Sequence, residues 1–166
     1  MIGITPMINT KAQLPSDKLA LAIATLGPIG NFPKAPGTWG SLAAVIAAPW
    51  LFLAFPPPGR LLILAFVFAV GTWASSRAES ILVKKDPGCV IIDEVFGQWL
   101  ALLCFTAMPL WQLGLGFLLF RLFDIFKPWP IKRVETILPG GLGVMADDGV
   151  AGLYALIVLE LITHTF

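Results

Sequence analysis

Charged side chains are scarce in this chain, 13% of positions, and several of them stand close together. Asp93 and Glu94 are adjacent, and so are Asp147 and Asp148; each pair precedes an apolar run, from Val95 and from about Gly149. That placement predicts that each pair opens a helix, where the dipole and the unpaired N–H groups favour carboxylates. Capping explains one such pair, but two pairs with Asp124 and Asp86 also available would repel one another without a compensating cation. Oxygen-only ligands suit Mg²⁺ far better than zinc. A second group, Arg121, Asp124 and Lys127, is spaced by three, which sets neighbouring members on one helical face. An arginine fork and a lysine point charge beside a carboxylate-held cation suit a phosphate group. Lys34 and the loop carrying Gly37 and Thr38 offer a further cation and backbone donors, as does Gly140 to Gly143, which fits neither the Walker nor the dinucleotide pattern.

What is missing narrows the chemistry. The sole histidine, His164, stands third from the end and far in sequence from every acid pair, so a phosphohistidine or a histidine base is not expected. Cys89 and Cys104 have no paired spacing and no arginine within the next ten positions, which argues against a covalent cysteine route, a disulfide or zinc, and reads as two small buried hydrophobes. A net charge of +1 gives no basic surface for nucleic acid. The expectation is metal-assisted attack of water on a phosphoryl group, with Asp93, Glu94, Asp147 and Asp148 as Mg²⁺ ligands, Asp93, Glu94, Asp124 and Asp148 in catalysis, and Lys34, Thr38, Arg121 and Lys127 on the phosphate. An aspartyl phosphate stays open.

These residues need a frame, and the frame is apolar. A hydrophobic fraction of 57% and a mean hydropathy of +0.85 place the chain with membrane proteins. Its 166 residues make one domain. Apolar runs at about 42–56, 61–76, 95–110, 112–126 and 149–163 predict five hydrophobic helices, near or slightly below spanning length, with a short helix before them and no strand periodicity. Thr38 or Ser41 is expected to cap the first of the five. The mixed first 17 residues predict no cleavable signal peptide.

Lysine and arginine test this division, because cytoplasmic loops retain them. With alternating helices, Lys11, Lys18, Lys34, Arg77, Lys84, Lys85, Lys127, Lys132 and Arg133 share one side, Arg60 alone takes the other, and Arg121 lies within a helix. The assignment predicts a cytoplasmic N-terminus and, though made from cations alone, brings Asp86, Asp93, Glu94, Asp147 and Asp148 to that same side.

Four blocks of sequence in order, over roughly residues 26 to 155, resemble the bacterial phosphatidylglycerophosphatase A family. They are Ala35-Pro36-Gly37-Thr38-Trp39-Gly40-Ser41-Leu42, Asp86 through Ile92-Asp93-Glu94 to Gly97, Phe120-Arg121 through Asp124 and Lys127-Pro128-Trp129-Pro130, and Gly140 through Asp147-Asp148 to Gly152. Pro139 stands where histidine is expected in close relatives, and Ala146 is a second departure; neither removes a proposed ligand. The resemblance implies a magnesium-dependent lipid phosphatase of the bacterial inner membrane, forming phosphatidylglycerol and phosphate at the cytoplasmic face, with a phospholipid substrate and no nucleic-acid partner. Two other classes compete. A CDP-alcohol phosphotransferase needs Asp-x-x-Asp-Gly followed by Ala-Arg, which Asp147-Asp148-Gly149 lacks; a small transporter or channel subunit needs polar positions through the membrane depth, whereas these gather on one side.

Overall fold

The computed structural model describes residues 14–106 and 108–165. These form seven α-helices: α1 (Pro15–Ala24), α2 (Pro36–Leu51), α3 (Pro57–Leu82), α4 (Ile92–Leu100), α5 (Leu110–Phe126), α6 (Ile131–Ile137) and α7 (Gly140–Thr165), with a 3₁₀ turn at Ile29–Asn31. No strand occurs among the described residues. Pro15, Pro36 and Pro57 stand in the first turns of α1, α2 and α3, where a missing N–H costs nothing and a fixed φ favours helix.

Each of the five anticipated apolar runs contributes to a helix, but the described residues form seven helices of unequal length and not a bundle of five with one short addition. Among the described residues only α3 and α7, at 26 residues each, are long and apolar enough to cross a bilayer. The run at 95–110 yields only the nine residues of α4, because the chain turns at Ala101–Cys104. The separators are also more ordered than expected: α3 continues to Leu82, and α6 lies within the stretch between Lys127 and Asp148. Lys11, one of the cations used to orient the chain, lies outside the described residues.

Helix α7 is the axis of the molecule, and α3, α4, α5 and α6 pack around it, while α1 leans on α3 and α2 on α4. The tightest crossing is between α4 and α7. A Cβ on Gly152 would come within 2.3 Å of the Gly97 carbonyl, and one on Gly97 within 2.6 Å of the Asp148 carbonyl. Small residues let the two backbones approach as in membrane helix pairs. On the other flank of α4, Trp99 stacks on Phe52 at 5.4 Å and donates its indole N–H to the Ala44 carbonyl at 2.9 Å, fixing α4 against α2.

The sequence reading set Arg60 in an aqueous loop; the structure buries it in the first turn of α3, 1% exposed. Its guanidinium donates to the carbonyls of Leu53 at 3.0 Å, Phe55 at 2.8 Å and Leu103 at 2.9 Å, and also to that of Phe105. These carbonyls follow the ends of α2 and α4, where helical partners run out. One buried cation thus closes two helix ends in an apolar setting that offers little else to bond them. The cysteines also differ from the reading as buried hydrophobes: Cys104 is exposed and Cys89 half-buried.

Candidate active site

The α4–α7 crossing brings the two acid pairs together. Asp93, Glu94, Asp147 and Asp148 are each at most 8% exposed, and all four line one cavity of about 200 Å³ with Asp86, Asp124, Arg121 and Lys127. The remaining walls include Pro36, Gly37, Gly88 and Val144. Asp93 and Glu94 occupy the first turn of α4, as expected. Asp147 and Asp148 do not open a helix: α7 begins at Gly140, so they sit about two turns inside it and cannot be explained as caps. The glycines that read as a loop are that helix's first turn. A Cβ on Gly141 would meet the Thr72 carbonyl at 2.4 Å, so this glycine serves the contact with α3 and not an anion.

Two of the four carboxylates are tied to cations. Arg121 Nη1 donates to Glu94 Oε2, to Asp124 Oδ2 at 2.8 Å one turn along α5, and to Ser41 Oγ at 3.3 Å. Ser41, entirely buried, lies with its hydroxyl 2.8 Å from Glu94 Oε2. It caps nothing, since α2 starts from Ala35 without a side-chain cap; its work is on Glu94. Gly37, one turn earlier, lets α2 approach: a Cβ there would stand 2.1 Å from Glu94 Oε1. Burial, and next the Asp124 charge, lift the Glu94 pKa to about 7, against the pull of Arg121 and Ser41.

Lys127 lies just past the end of α5 in a left-handed conformation, φ +41°, so it is not a third member of the helical face. The turn directs its Nζ to Asp147 Oδ2 at 2.5 Å and Glu135 Oε2 at 2.9 Å. Burial pulls its pKa down, but those two bonds outweigh burial and hold the ammonium above the usual lysine range.

Among the described residues Asp93 and Asp148 have no cationic partner. Asp93 Oδ1 accepts the Glu94 N–H at 3.1 Å, and burial, then the neighbouring acids Glu94, Asp86 and Asp147, raise its pKa well above the usual carboxylate value. Asp148 Oδ2 is buried with no hydrogen-bond partner. An orphaned carboxylate oxygen among oxygen-only donors is the environment a hard divalent cation would complete. Among the described residues no three acids are already drawn close enough to form a cage. A cation bound there would be met by oxygen donors alone, the ligand type that suits Mg²⁺.

Two expected phosphate ligands are elsewhere. Lys34 is exposed and Thr38 half-buried, and neither lines the cavity; Pro36 and Gly37 do instead. Ser41 and Glu135 were missed as site residues, and only Ser41 left a sequence signal, one helical turn beyond Gly37. His164 pairs with Glu160 at 2.9 Å near the other end of α7, about 24 Å from Asp148 along the helix.

A helical protein with a buried cavity rich in carboxylates, gripped by an arginine and a lysine, has the equipment of a phosphate-ester hydrolase. The sequence supplies the particular: residues 22–163 match the phosphatidylglycerophosphatase A family, and the chain belongs to it. It is 33% identical over 137 residues to phosphatidylglycerophosphatase A of Escherichia coli, covering 81% of this chain and 78% of that one. The Haemophilus influenzae enzyme of the same name is 35% identical over 136 residues, covering 81% and 83%. A Bacteroides thetaiotaomicron protein, whose name proposes a phosphatidylinositol-3-phosphatase, is 38% identical over 151 residues, covering 85% and 91%. No solved structure matches the chain.

Proposed function

We propose that this protein hydrolyses phosphatidylglycerophosphate to phosphatidylglycerol and inorganic phosphate, with Mg²⁺ held by Asp93 and Asp148. The observation that carries this reading is the cavity itself, where residues from all four family-like sequence blocks converge. Arg121 and Lys127 bind the phosphate oxygens. Arg121 Nε, buried and without a partner, is a donor to spare for them. Glu94 and Asp147, held by Arg121 and Lys127, keep those cations oriented toward the cavity, and Asp124 braces Arg121 from within α5. When bound, Mg²⁺ supplies a Lewis acid that offsets charge on the phosphoryl group and acidifies a water.

The bilayer is the second part of the proposal. Helices α3 and α7 cross it packed against each other, and the shorter helices pack around them. Large apolar side chains on the outer surface support this, among them Ile46, Leu62, Phe66, Leu118, Ile125 and Leu161. Four of the five exposed tryptophans stand near helix ends, Trp39 and Trp129 at the cavity end and Trp50 and Trp111 at the other, as in the aromatic belts of membrane proteins, while Trp73 lies within α3. The distribution of lysine and arginine supports a cavity that faces the cytoplasm from the inner membrane.

The test is phosphate release by the purified protein from phosphatidylglycerophosphate, phosphatidylinositol 3-phosphate and phosphatidic acid in mixed micelles. The first substrate turns over fastest. Preference for the inositol lipid would overturn the assignment.

A further inference from the structure

A second cavity, about 540 Å³, adjoins the carboxylate cavity and is lined mainly by apolar side chains. Its walls come from α1 (Leu21, Ala22), the segment around the 3₁₀ turn (Phe32, Pro33), the end of α3 (Ile81) and the half-buried Cys89. Pro36 and Gly88 line both cavities, so the two lie side by side with these residues between them. Nearby, Ile91 N–H donates to the Ala24 carbonyl at 2.8 Å, tying the segment before α4 to the end of α1. The volume lies inside the roughly 300–1,000 Å³ range of small-molecule sites. The phosphate cavity has the opposite character, being walled by eight charged side chains.

We propose that this groove holds one acyl chain of the lipid substrate while the phosphate occupies the carboxylate cavity, with Pro36 and Gly88 flanking the glycerol between them. The inference rests on the phospholipid phosphatase reading and adds to it a site that selects for the tail. The choice of occupant follows from adjacency: an apolar groove that shares Pro36 and Gly88 with a cavity of carboxylates, arginine and lysine fits a molecule carrying both chemistries on one backbone. Each methylene buried there contributes about fourfold in affinity.

Ala22 is exposed on α1 and lines the groove, so Ala22→Trp fills the groove without disturbing the core. Steady-state kinetics are compared on dipalmitoyl phosphatidylglycerophosphate and on its deacylated, water-soluble counterpart. Ala22→Trp raises KM for the dipalmitoyl lipid about tenfold or more and leaves kcat/KM for the deacylated compound unchanged. A parallel loss on both, or on neither, overturns the proposal. A second readout needs no variant in the groove: in a Cys104→Ser background, dioleoyl phosphatidylglycerol slows maleimide labelling of Cys89 several-fold and inorganic phosphate does not. Equal labelling with and without the lipid also overturns it. If the groove instead seats a second copy of the chain, Ala22→Trp changes the sedimentation of the protein and not its preference between the two substrates, and the proposal falls. A wild-type protein that hydrolyses neither compound refutes the phosphatase reading, a result distinct from each of these.

Discussion

At the scale of single residues, the site is a balance of charge in which each cation has a fixed pair of acids. Arg121 bridges Glu94 and Asp124, and Lys127 bridges Asp147 and Glu135. Among the described residues this leaves Asp93, Asp148 and Asp86 as the cavity carboxylates without an ion pair, two of them from the set of four expected from the sequence as metal ligands. The planar fork of arginine carries several directed bonds at once, while lysine offers a point charge. Arg121→Lys therefore keeps the net charge but loses the geometry: kcat/KM for phosphatidylglycerophosphate falls about 10²-fold or more, with a far-UV CD spectrum like the wild type's. Near-normal turnover by that variant would show that charge alone suffices at this position.

Among the elements, α4 and α7 do most to build the site, because their crossing at Gly97 and Gly152 sets the distance between the acid pairs. Gly152→Ala puts a methyl group into a 2.3 Å gap against the Gly97 carbonyl and forces the helices apart. It lowers stability by about 1–3 kcal/mol and lowers activity with it, read by thermal unfolding and phosphate release in detergent. Arg60→Met leaves four carbonyls at two buried helix ends without their donor and costs at least about 3 kcal/mol, read the same way; an unchanged melting temperature would refute its role as a double cap. The apolar runs made the helices legible in the sequence, and the adjacent acids made half of the site legible. Helix lengths were harder to read. Gly140 to Gly143 carries every local sign of a loop, yet close packing against α3 holds it as the first turn of α7. Lys127 looked like a third turn of α5 by spacing, and only the left-handed turn after Phe126 redirects it to Asp147. Ser41 read as a cap because its true partner, Glu94, is 53 residues away.

The whole molecule is organised along one axis, with charge at one end of α7 and an apolar girdle around the rest. The lysine and arginine pattern of the sequence predicts a cytoplasmic setting for that end, and the acids Asp93, Glu94, Asp147 and Asp148 gather at it. In a protein stripped of its native cysteines, a membrane-impermeant maleimide labels His164→Cys from the outer face of spheroplasts and Lys132→Cys only after the membrane is opened; the reverse pattern would invert the orientation. Charge, orientation and lipid chemistry all lead back to the unpartnered oxygen of Asp148. The most direct measurement is phosphate release from phosphatidylglycerophosphate during a Mg²⁺ titration of EDTA-stripped wild-type protein and of Asp148→Asn. The wild type is silent without metal and recovers with Mg²⁺, whereas the folded variant stays about 10²-fold or more below it at every concentration. Turnover in EDTA, or a variant that matches the wild type, would contradict the account.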